Sequence, residues 1–351
     1  MTLDAPDLDA HDLSALKAMS ARVGRDPLLI QGAGGNSSVK IDGVLWVKAS
    51  GTWLQDAERA PIFLPVDLDL ARRRFSAGEE KVAAMPWTRA PAGLRPSIET
   101  SLHAFLPQPI VLHVHSVNAL AWCIRAEGAR ALGDRLEGLN WAWLPYCRPG
   151  LPLATQAAAL AARGRAPDVL LLGNHGLVVA GADTAATEAL LAKVETRLHL
   201  DPRPAAPARA ARLGGLAQGS PYRPAEAAVV HALATDSVRC RIASGGSLYP
   251  DHVVFLGPGA RILETGERPT ELAEAASAAG LPVPALLLLP GQGVLLRKDL
   301  PPEAVALAEC LGEVLARLPE ASEVTYLGAE EEQALLGWDA EKYRKNLQRP
   351  G

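Results

Sequence analysis

Three short stretches of this sequence carry side chains able to hold a metal ion and move a proton. In "VLHVHS", residues 111–116, His113 and His115 stand one residue apart within an apolar run. Side chains alternate between the faces of a strand, so both imidazoles point one way while Leu112 and Val114 point the other. Two such imidazoles are either two ligands of one ion or two core histidines. A metal needs a third donor. His175, in "LLGNHGLVV", stands at the mouth of an apolar hairpin, from which a side chain can turn toward a neighbouring strand. Three histidines leave one or two coordination positions open for water or substrate, as catalytic rather than closed structural sites do. Imidazole ligation suits Zn²⁺ first, with other divalent transition metals as alternatives. The spacing therefore points to a metal site on His113, His115 and His175.

Glu99, in "PSIETSLHAFL", is the nearest upstream carboxylate that a helix would carry to the same place. It reads either as a solvated helix-surface residue or as a general base beside the ion, where an open Lewis-acid position holds a carbonyl or enediolate oxygen. His103 falls four residues later and would neighbour Glu99 on a helix face, as a structural hydrogen-bond pair. His11, His199, His231 and His252 show no partner pattern and read as structural or surface residues. "GAGGNSS" reads either as a flexible turn or as a cradle, in which backbone amides, Asn36 and a neighbouring hydroxyl approach an anion closely. It lacks the lysine of a P-loop and leads into a hairpin. "PGQGVLLRK" lacks the third glycine and the following helix of a dinucleotide fingerprint, so neither stretch is a nucleotide site.

These residues must be positioned by strands and helices, and the pattern places both. "LSALKAMSARVG" predicts an amphipathic helix. "SVKI" and "VLWVKA" flank Asp42-Gly43, a type I′ hairpin signal. "SIETSLHAFL" predicts a helix opening with Ser97 as N-cap, followed by the "IVLHVHS" strand and a "VNALAWCIRA" helix. "DVLLLGNHGLVVAG" predicts strand, tight turn and strand, and "DTAATEALLAKVETRLHL" a helix with Asp183 as N-cap. Residues 201–224, rich in Pro, Ala, Arg and Gly, read as a linker or domain boundary. Beyond it the pattern predicts a helix over "PAEAAVVHALATD", strands at "HVVFL", "ALLLLP" and "GVLLRK", and a long helix over "PPEAVALAECLGEVLARL". Helices and strands interleave in both parts, and the hairpins favour a mixed or antiparallel sheet over a purely parallel one.

The bulk numbers exclude several classes. Hydrophobic residues make up 48% and charged residues 21% of 351, ordinary for a protein with a sizeable core. With 35 basic against 39 acidic side chains the formal net charge is -4, which gives no reason to expect nucleic acid or an anionic membrane as partner. Apolar runs such as "ALLLLP" are too short to span a bilayer. The opening "MTLDAPDLDAHDL" is acidic and lacks the apolar core of a secretory leader. Cys123, Cys147, Cys240 and Cys310 are spread out with no CxxC pair, so reduced thiols in a cytoplasmic protein are expected.

In that order along the chain, "GAGGNSSVK", "KASGTWL", "PSIETSLHAFL", "VLHVHS", "LPYCRPG" and "LLGNHGLVVAG" resemble the class II aldolase/adducin family, over roughly residues 10–200. That family includes fuculose- and rhamnulose-phosphate aldolases and ribulose-phosphate 4-epimerase. The resemblance implies a three-layer α/β/α fold with a mixed, largely antiparallel sheet, followed by a smaller C-terminal α/β region. The domains expected from it are residues 1–205 and 206–351, with no dehydrogenase domain. It implies zinc or another divalent transition metal on His113, His115 and His175, and Glu99 as the residue that abstracts or returns the proton beside the substrate carbonyl. The phosphate cradle falls on Gly35, Asn36, Ser50 and Gly51, with Ser97 on the helix that carries Glu99. Family members often read Ser-Ser-Glu where this chain reads Ser97-Ile98-Glu99, which removes one phosphate-side hydroxyl. Tyr146 of "LPYCRPG" falls on the proton donor that reaches in from a neighbouring subunit, so a homo-oligomer, commonly a tetramer, is expected.

The implied activity is retro-aldol cleavage of a ketose or ketose phosphate through a metal-stabilised enediolate. A 4-epimerase, a dehydratase, or a non-catalytic adducin-like or sugar-binding protein are the alternatives. "LYPDHVVFLGPG", "PGQGVLL" and "WDAEKYRKNL" look like the segment after the aldolase part of bifunctional aldolase/short-chain dehydrogenase proteins. Within it, Asp251 and His252 read as a structural pair at a strand entrance or as a contribution to substrate selection.

Overall fold

The computed structural model describes residues 7–86, 91–339 and 341. The last residues of "WDAEKYRKNL" lie outside them. The chain divides into two compact units. Described residues up to Ala119, with Ala131–Leu198, form the first, and Leu120–Arg130 with the residues from His199 onward form the second.

The first unit is built on seven strands: β1 (Asn36–Ile41), β2 (Val44–Lys48), β3 (Phe63–Asp67), β4 (Ile110–Val114), β5 (Trp141–Leu144), β6 (Val169–Leu172) and β7 (Gly176–Gly181). Their order across the sheet is β3-β2-β1-β4-β7-β6-β5. Every neighbouring pair is antiparallel except β5 with β6. The β1–β2 hairpin turns at Asp42 and Gly43, both at positive φ (48° and 78°), as a type I′ turn requires.

Alternation along β2 shows how the layers form. Val44 and Trp46 pack with Leu16 and Met19 of α1 (Ser14–Gly24), whereas Leu45 and Val47 pack with Phe75 of α2 (Leu68–Ser76) and Ala104 of α3 (Thr100–Phe105). A second cluster on the α3 face joins Leu102, Val111 and Val178 to Leu153 and Ala157 of α6 (Leu151–Ala161); two short helices, α4 (Val117–Cys123) and α5 (Gly128–Arg135), lie between β4 and β5 in the chain. The long helix α7 (Thr184–Leu198) packs on β7 and β4 and also meets α1, so it belongs to the other face. The result is a three-layer α/β/α sandwich around a mixed, largely antiparallel sheet.

The second unit is a smaller α/β assembly. Its four strands, β8 (Tyr222–Pro224), β9 (Arg261–Ile262), β10 (Leu286–Leu289) and β11 (Gly293–Arg297), run in the order β8-β11-β10-β9. Helices α8 (Ala210–Ala217), α9 (Ala228–Thr235), α10 (Ser237–Gly245), α11 (Pro250–Leu256), α12 (Pro269–Ala278), α13 (Pro302–Ala316) and α14 (Ala329–Gly337) complete it.

One expectation fails here, and another holds only in part, since the units do divide at Leu198–His199, beside residues 201–224. "HVVFL" is helical, part of α11, because Pro250 sits in the first turn where it lacks no needed donor, Asp251 favours the helix start, and Gly257 at φ 88° ends it. Asp251 and His252 therefore lie on a helix, and the backbone N–H of Leu248 donates to His252 Nδ1 at 3.2 Å. Residues 201–224 are not merely a linker. They contain α8 and β8, whose Leu213 and Tyr222 are buried in the core with Leu287 and Leu295. Among the described residues no helix is long and apolar enough to cross a membrane, and all four cysteines are free thiols.

Candidate metal centre and its carboxylate

The β1–β4 pairing builds the centre. Register places Asn36 opposite His113 and His113 opposite Val178. Gly35 allows the close approach. It sits at φ +61°, and a Cβ there would lie 2.7 Å from the carbonyl oxygen of His113 and closer still to Ile30 Cδ1. His115 falls just beyond β4, yet its imidazole stays beside that of His113, with the two Nε2 atoms 3.1 Å apart. His175 comes from the tight β6–β7 turn, in which Asn174 takes φ 51° and the His175 N–H donates to Leu172 O at 3.0 Å. Gly176 follows, and a Cβ on it would press 2.6 Å from Val114 O.

One ligand atom from each of His113, His115 and His175 lies within 4.8 Å of the others, and all three residues are largely buried. His113 Nδ1 donates to Leu177 O at 3.0 Å. A carbonyl can only accept, so a neutral His113 presents Nε2 with its lone pair toward the centre. The donor set is all imidazole, converging and shielded, which fits one divalent transition ion.

Glu99 completes the arrangement. It immediately precedes α3 and is buried, with Oε2 3.4 Å from His113 Nε2 and Oε1 3.6 Å from His175 Nε2. Asn36 Nδ2 donates to Oε2 at 2.8 Å. Burial alone would raise its pKa, but the positive charge that the His113 and His175 imidazoles carry when protonated, the Asn36 hydrogen bond and His115 outweigh that and lower it to about 2. A solvated helix-surface position is thus excluded for Glu99.

The His103 imidazole does not bond the Glu99 carboxylate directly, although the His103 backbone N–H donates to Glu99 O at 3.3 Å. Its Nε2 bonds Asn36 Oδ1, and its Nδ1 lies 2.7 Å from Ser38 Oγ, so Asn36 stands between the two residues. The helix start also differs from expectation, because Ser97 is not the N-cap of α3. Its Oγ accepts the N–H of Glu99 at 3.2 Å, and Glu99 itself is the N-cap, two residues further on.

Sequence reasoning missed one buried residue that links two of the predicted segments. Lys48, the buried end of β2, donates from Nζ to Ala33 O at 3.1 Å, and its carbonyl accepts from Ser97 N at 3.0 Å. This joins the glycine loop before Asn36 to the segment that leads from Ser97 to Glu99, beside which the Ser50 N–H donates to Arg95 O at 2.9 Å. A lysine closing the apolar strand "VLWVK" was the available signal. Tyr146, half-buried, follows β5, and its backbone nitrogen lies against Gly173 at the base of the His175 turn. The other histidines have structural partners: Trp46 Nε1 donates to His11 Nδ1 at 2.8 Å, Val294 N donates to His231 Nδ1 at 3.1 Å, and His199 Nε2 lies 3.2 Å from Asp201 Oδ1.

Residues 16–200 match the family model described as class II aldolase and adducin N-terminal domain. The uncharacterized oxidoreductase YuxG of Bacillus subtilis (strain 168) is 33% identical over 176 residues, which cover 45% of this chain and 25% of that protein. The chain thus spans about a quarter of that curated relative. Among solved structures, the N-terminal class II aldolase domain of a conserved protein from Thermoplasma acidophilum is 26% identical, with 55% of this chain and 95% of that chain covered and a TM-score of 0.44. The l-fuculose-1-phosphate aldolase from Thermus thermophilus is 20% identical, with 53% and 93% covered and a TM-score of 0.36.

Proposed function

The chain belongs to the class II aldolase and adducin family, and we propose that its first unit is a metal-dependent carbon–carbon lyase acting on a ketose or ketose phosphate. The observation that carries this reading is the buried Glu99 carboxylate set within 3.6 Å of two of three convergent imidazoles. A purely structural core gains nothing from four such groups facing one another.

In this reading His113, His115 and His175 hold the ion, with zinc the first choice of an imidazole set. When bound, the ion supplies Lewis acidity to a ketone oxygen and the adjacent hydroxyl. The protein's own groups then move protons. In cleavage, the hydroxyl on the far side of the scissile bond gives up its proton, the carbon–carbon bond breaks, and its electron pair stays with the ketone fragment. That fragment is closed by a proton delivered to carbon. In the synthetic direction the Glu99 carboxylate removes that proton; in cleavage it first takes one up from solvent and returns it to the same carbon.

Tyr146, reaching the site of a neighbouring subunit in a homo-oligomer, serves the hydroxyl proton. Gly35, Ser50, Gly51 and Ser97 hold the phosphate or hydroxyl end of the substrate through backbone and hydroxyl donors. Asn36, expected in that cradle from the sequence, instead donates to Glu99 and steadies it. The second unit, which begins at His199 and also takes in Leu120–Arg130, is a separate domain to which this reading assigns no step.

The test is a panel of ketoses and ketose 1-phosphates incubated with the zinc-loaded protein, with release of free aldehyde followed by coupled reduction. Aldehyde release from at least one of them is expected. Conversion of a ketose to its epimer without free aldehyde would replace the lyase reading with the epimerase one. Loss of water without cleavage would replace it with the dehydratase one.

A further inference from the structure

The histidines alone do not hold the Glu99 carboxylate. A chain of hydrogen bonds among buried side chains leads to it: Ser38 Oγ to His103 Nδ1 at 2.7 Å, His103 Nε2 to Asn36 Oδ1, and Asn36 Nδ2 to Glu99 Oε2 at 2.8 Å. Ser38 and His103 are fully buried, so neither can turn to water instead. Chemistry sets the direction of each bond. An amide oxygen only accepts, so His103 Nε2 must carry the proton that it shares with Asn36. Burial lowers the His103 pKa to about 3, which keeps the ring neutral and leaves Nδ1 without a proton. The Ser38 hydroxyl is then the donor to Nδ1. Every donor in the chain points toward the carboxylate.

The alternative arrangement of Asn36 is unfavourable at both ends. Turning its amide over would set the amide oxygen against the Glu99 carboxylate and the amide NH₂ against the N–H of His103. Two hydrogen bonds would become two repulsions in a site shielded from solvent. The bonds also tie together two elements. Asn36 and Ser38 lie two apart on β1 and so share a face, whereas Glu99 and His103 sit at the start and within the body of α3.

We propose that His103 is a positioning residue which, through Asn36, fixes the orientation of the amide and thereby holds the Glu99 carboxylate at the three histidines. Its kinetic consequence rests on the proposed role of Glu99 in proton transfer; its structural consequence does not. His103 touches neither ion nor substrate. It decides where the carboxylate points.

Two variants of the full chain test this. His103→Gln retains a side-chain N–H at the reach of Nε2, and His103→Phe keeps ring bulk without a donor. In a long-range ¹H–¹⁵N spectrum at neutral pH, wild-type His103 is expected as the Nε2–H tautomer with Nδ1 unprotonated. The side-chain amide protons of Asn36 are expected to be protected from solvent exchange in wild type and His103→Gln and unprotected in His103→Phe. An Nδ1–H tautomer, an imidazolium, or equal Asn36 protection in all three proteins would overturn the proposal.

With a ketose that the wild type accepts, His103→Phe is expected to lower kcat for exchange of the substrate carbon-bound proton by about 100-fold, the scale of a ~1 Å misplacement. KM should stay within about threefold, zinc content should be unchanged, and His103→Gln should recover most of the rate. A His103→Gln variant as slow as His103→Phe would overturn the proposal. If the wild type exchanges no ketose proton, the lyase reading fails, and the tautomer and protection results still decide the role of His103.

Discussion

Replacing Gly35 by alanine tests whether the approach of β1 to β4 sets the metal centre. Gly35 stands at φ +61°, and an alanine Cβ would meet the His113 carbonyl oxygen at 2.7 Å and crowd Ile30 Cδ1 even more closely. The left-handed backbone costs an alanine about 1–2 kcal/mol. The Ile30 methyl can swing away, but the His113 oxygen belongs to the central strand and can yield only by moving that strand. Overpacking of this kind adds about 1–3 kcal/mol.

Gly43 provides the control, because it also has positive φ (+78°) but nothing lies within 4 Å of the position a Cβ would take. Gly43→Ala should lose only the backbone share, and Gly35→Ala about 2–5 kcal/mol in total. In a thermal melt of a domain this size that is roughly 4–20 °C for Gly35→Ala. A shifted His113 must also loosen the ion, by about 10-fold or more in a zinc titration, as disturbance of a ligand's support usually does. If Gly35→Ala melts with Gly43→Ala and binds zinc as tightly as the wild type, the close approach does not hold His113 in place.

Other outcomes follow from the same geometry. Glu99→Gln keeps an acceptor for Asn36 and leaves all three imidazoles, so metal content should be unchanged while exchange of the substrate carbon-bound proton falls by at least ~100-fold in an isotope-exchange assay. His103 has its pKa lowered from 6.5 to about 3 by burial. Below pH 6.5 the unfolded chain therefore binds a proton at this ring that the folded chain refuses. Its contribution is whole above pH 6.5 and is lost as pH falls toward 3, by about 1.4 kcal/mol per pH unit. Denaturant unfolding of the metal-free protein between pH 7 and 5 should show this decline in the wild type, and a slope shallower by that amount in His103→Gln. Leu213→Ala, which truncates a fully buried side chain of α8, should destabilise the second unit by about 2–5 kcal/mol in the same assay, as a free linker would not.

Much of the site is legible in residue spacing, because its parts are local. The two-residue period of a strand puts His113 and His115 on one side, Asp42-Gly43 is a turn chemistry with few alternatives, and "GNHG" between apolar runs forces a tight turn that carries His175. What spacing cannot carry is register between distant strands. Asn36 meets Glu99 only because β1 pairs with β4 so that Asn36 falls opposite His113. Read on its own, the sequence offers His103 as the neighbour of Glu99, since four residues is one helical turn, and gives no reason to place Asn36 between them. Lys48 stays hidden for the same reason, as its partners are the glycine loop and the Ser97 segment, far from it in sequence. In the second unit, "HVVFL" has strand-like composition, yet Pro250 and Gly257 at its borders decide for a helix. Composition likewise hides α8, because alanine and arginine around Leu213 and Ala217 look like linker while placing an apolar face every three to four residues.

Metal content is the most direct measure of the central claim that three imidazoles and a carboxylate form a working centre. Elemental analysis of the purified wild type and of His113→Ala, each reconstituted with zinc and desalted, should give about one ion per chain in the wild type and a clear loss in the variant. A wild type that retains no ion after reconstitution would contradict the claim, and so would a His113→Ala variant that retains as much as the wild type.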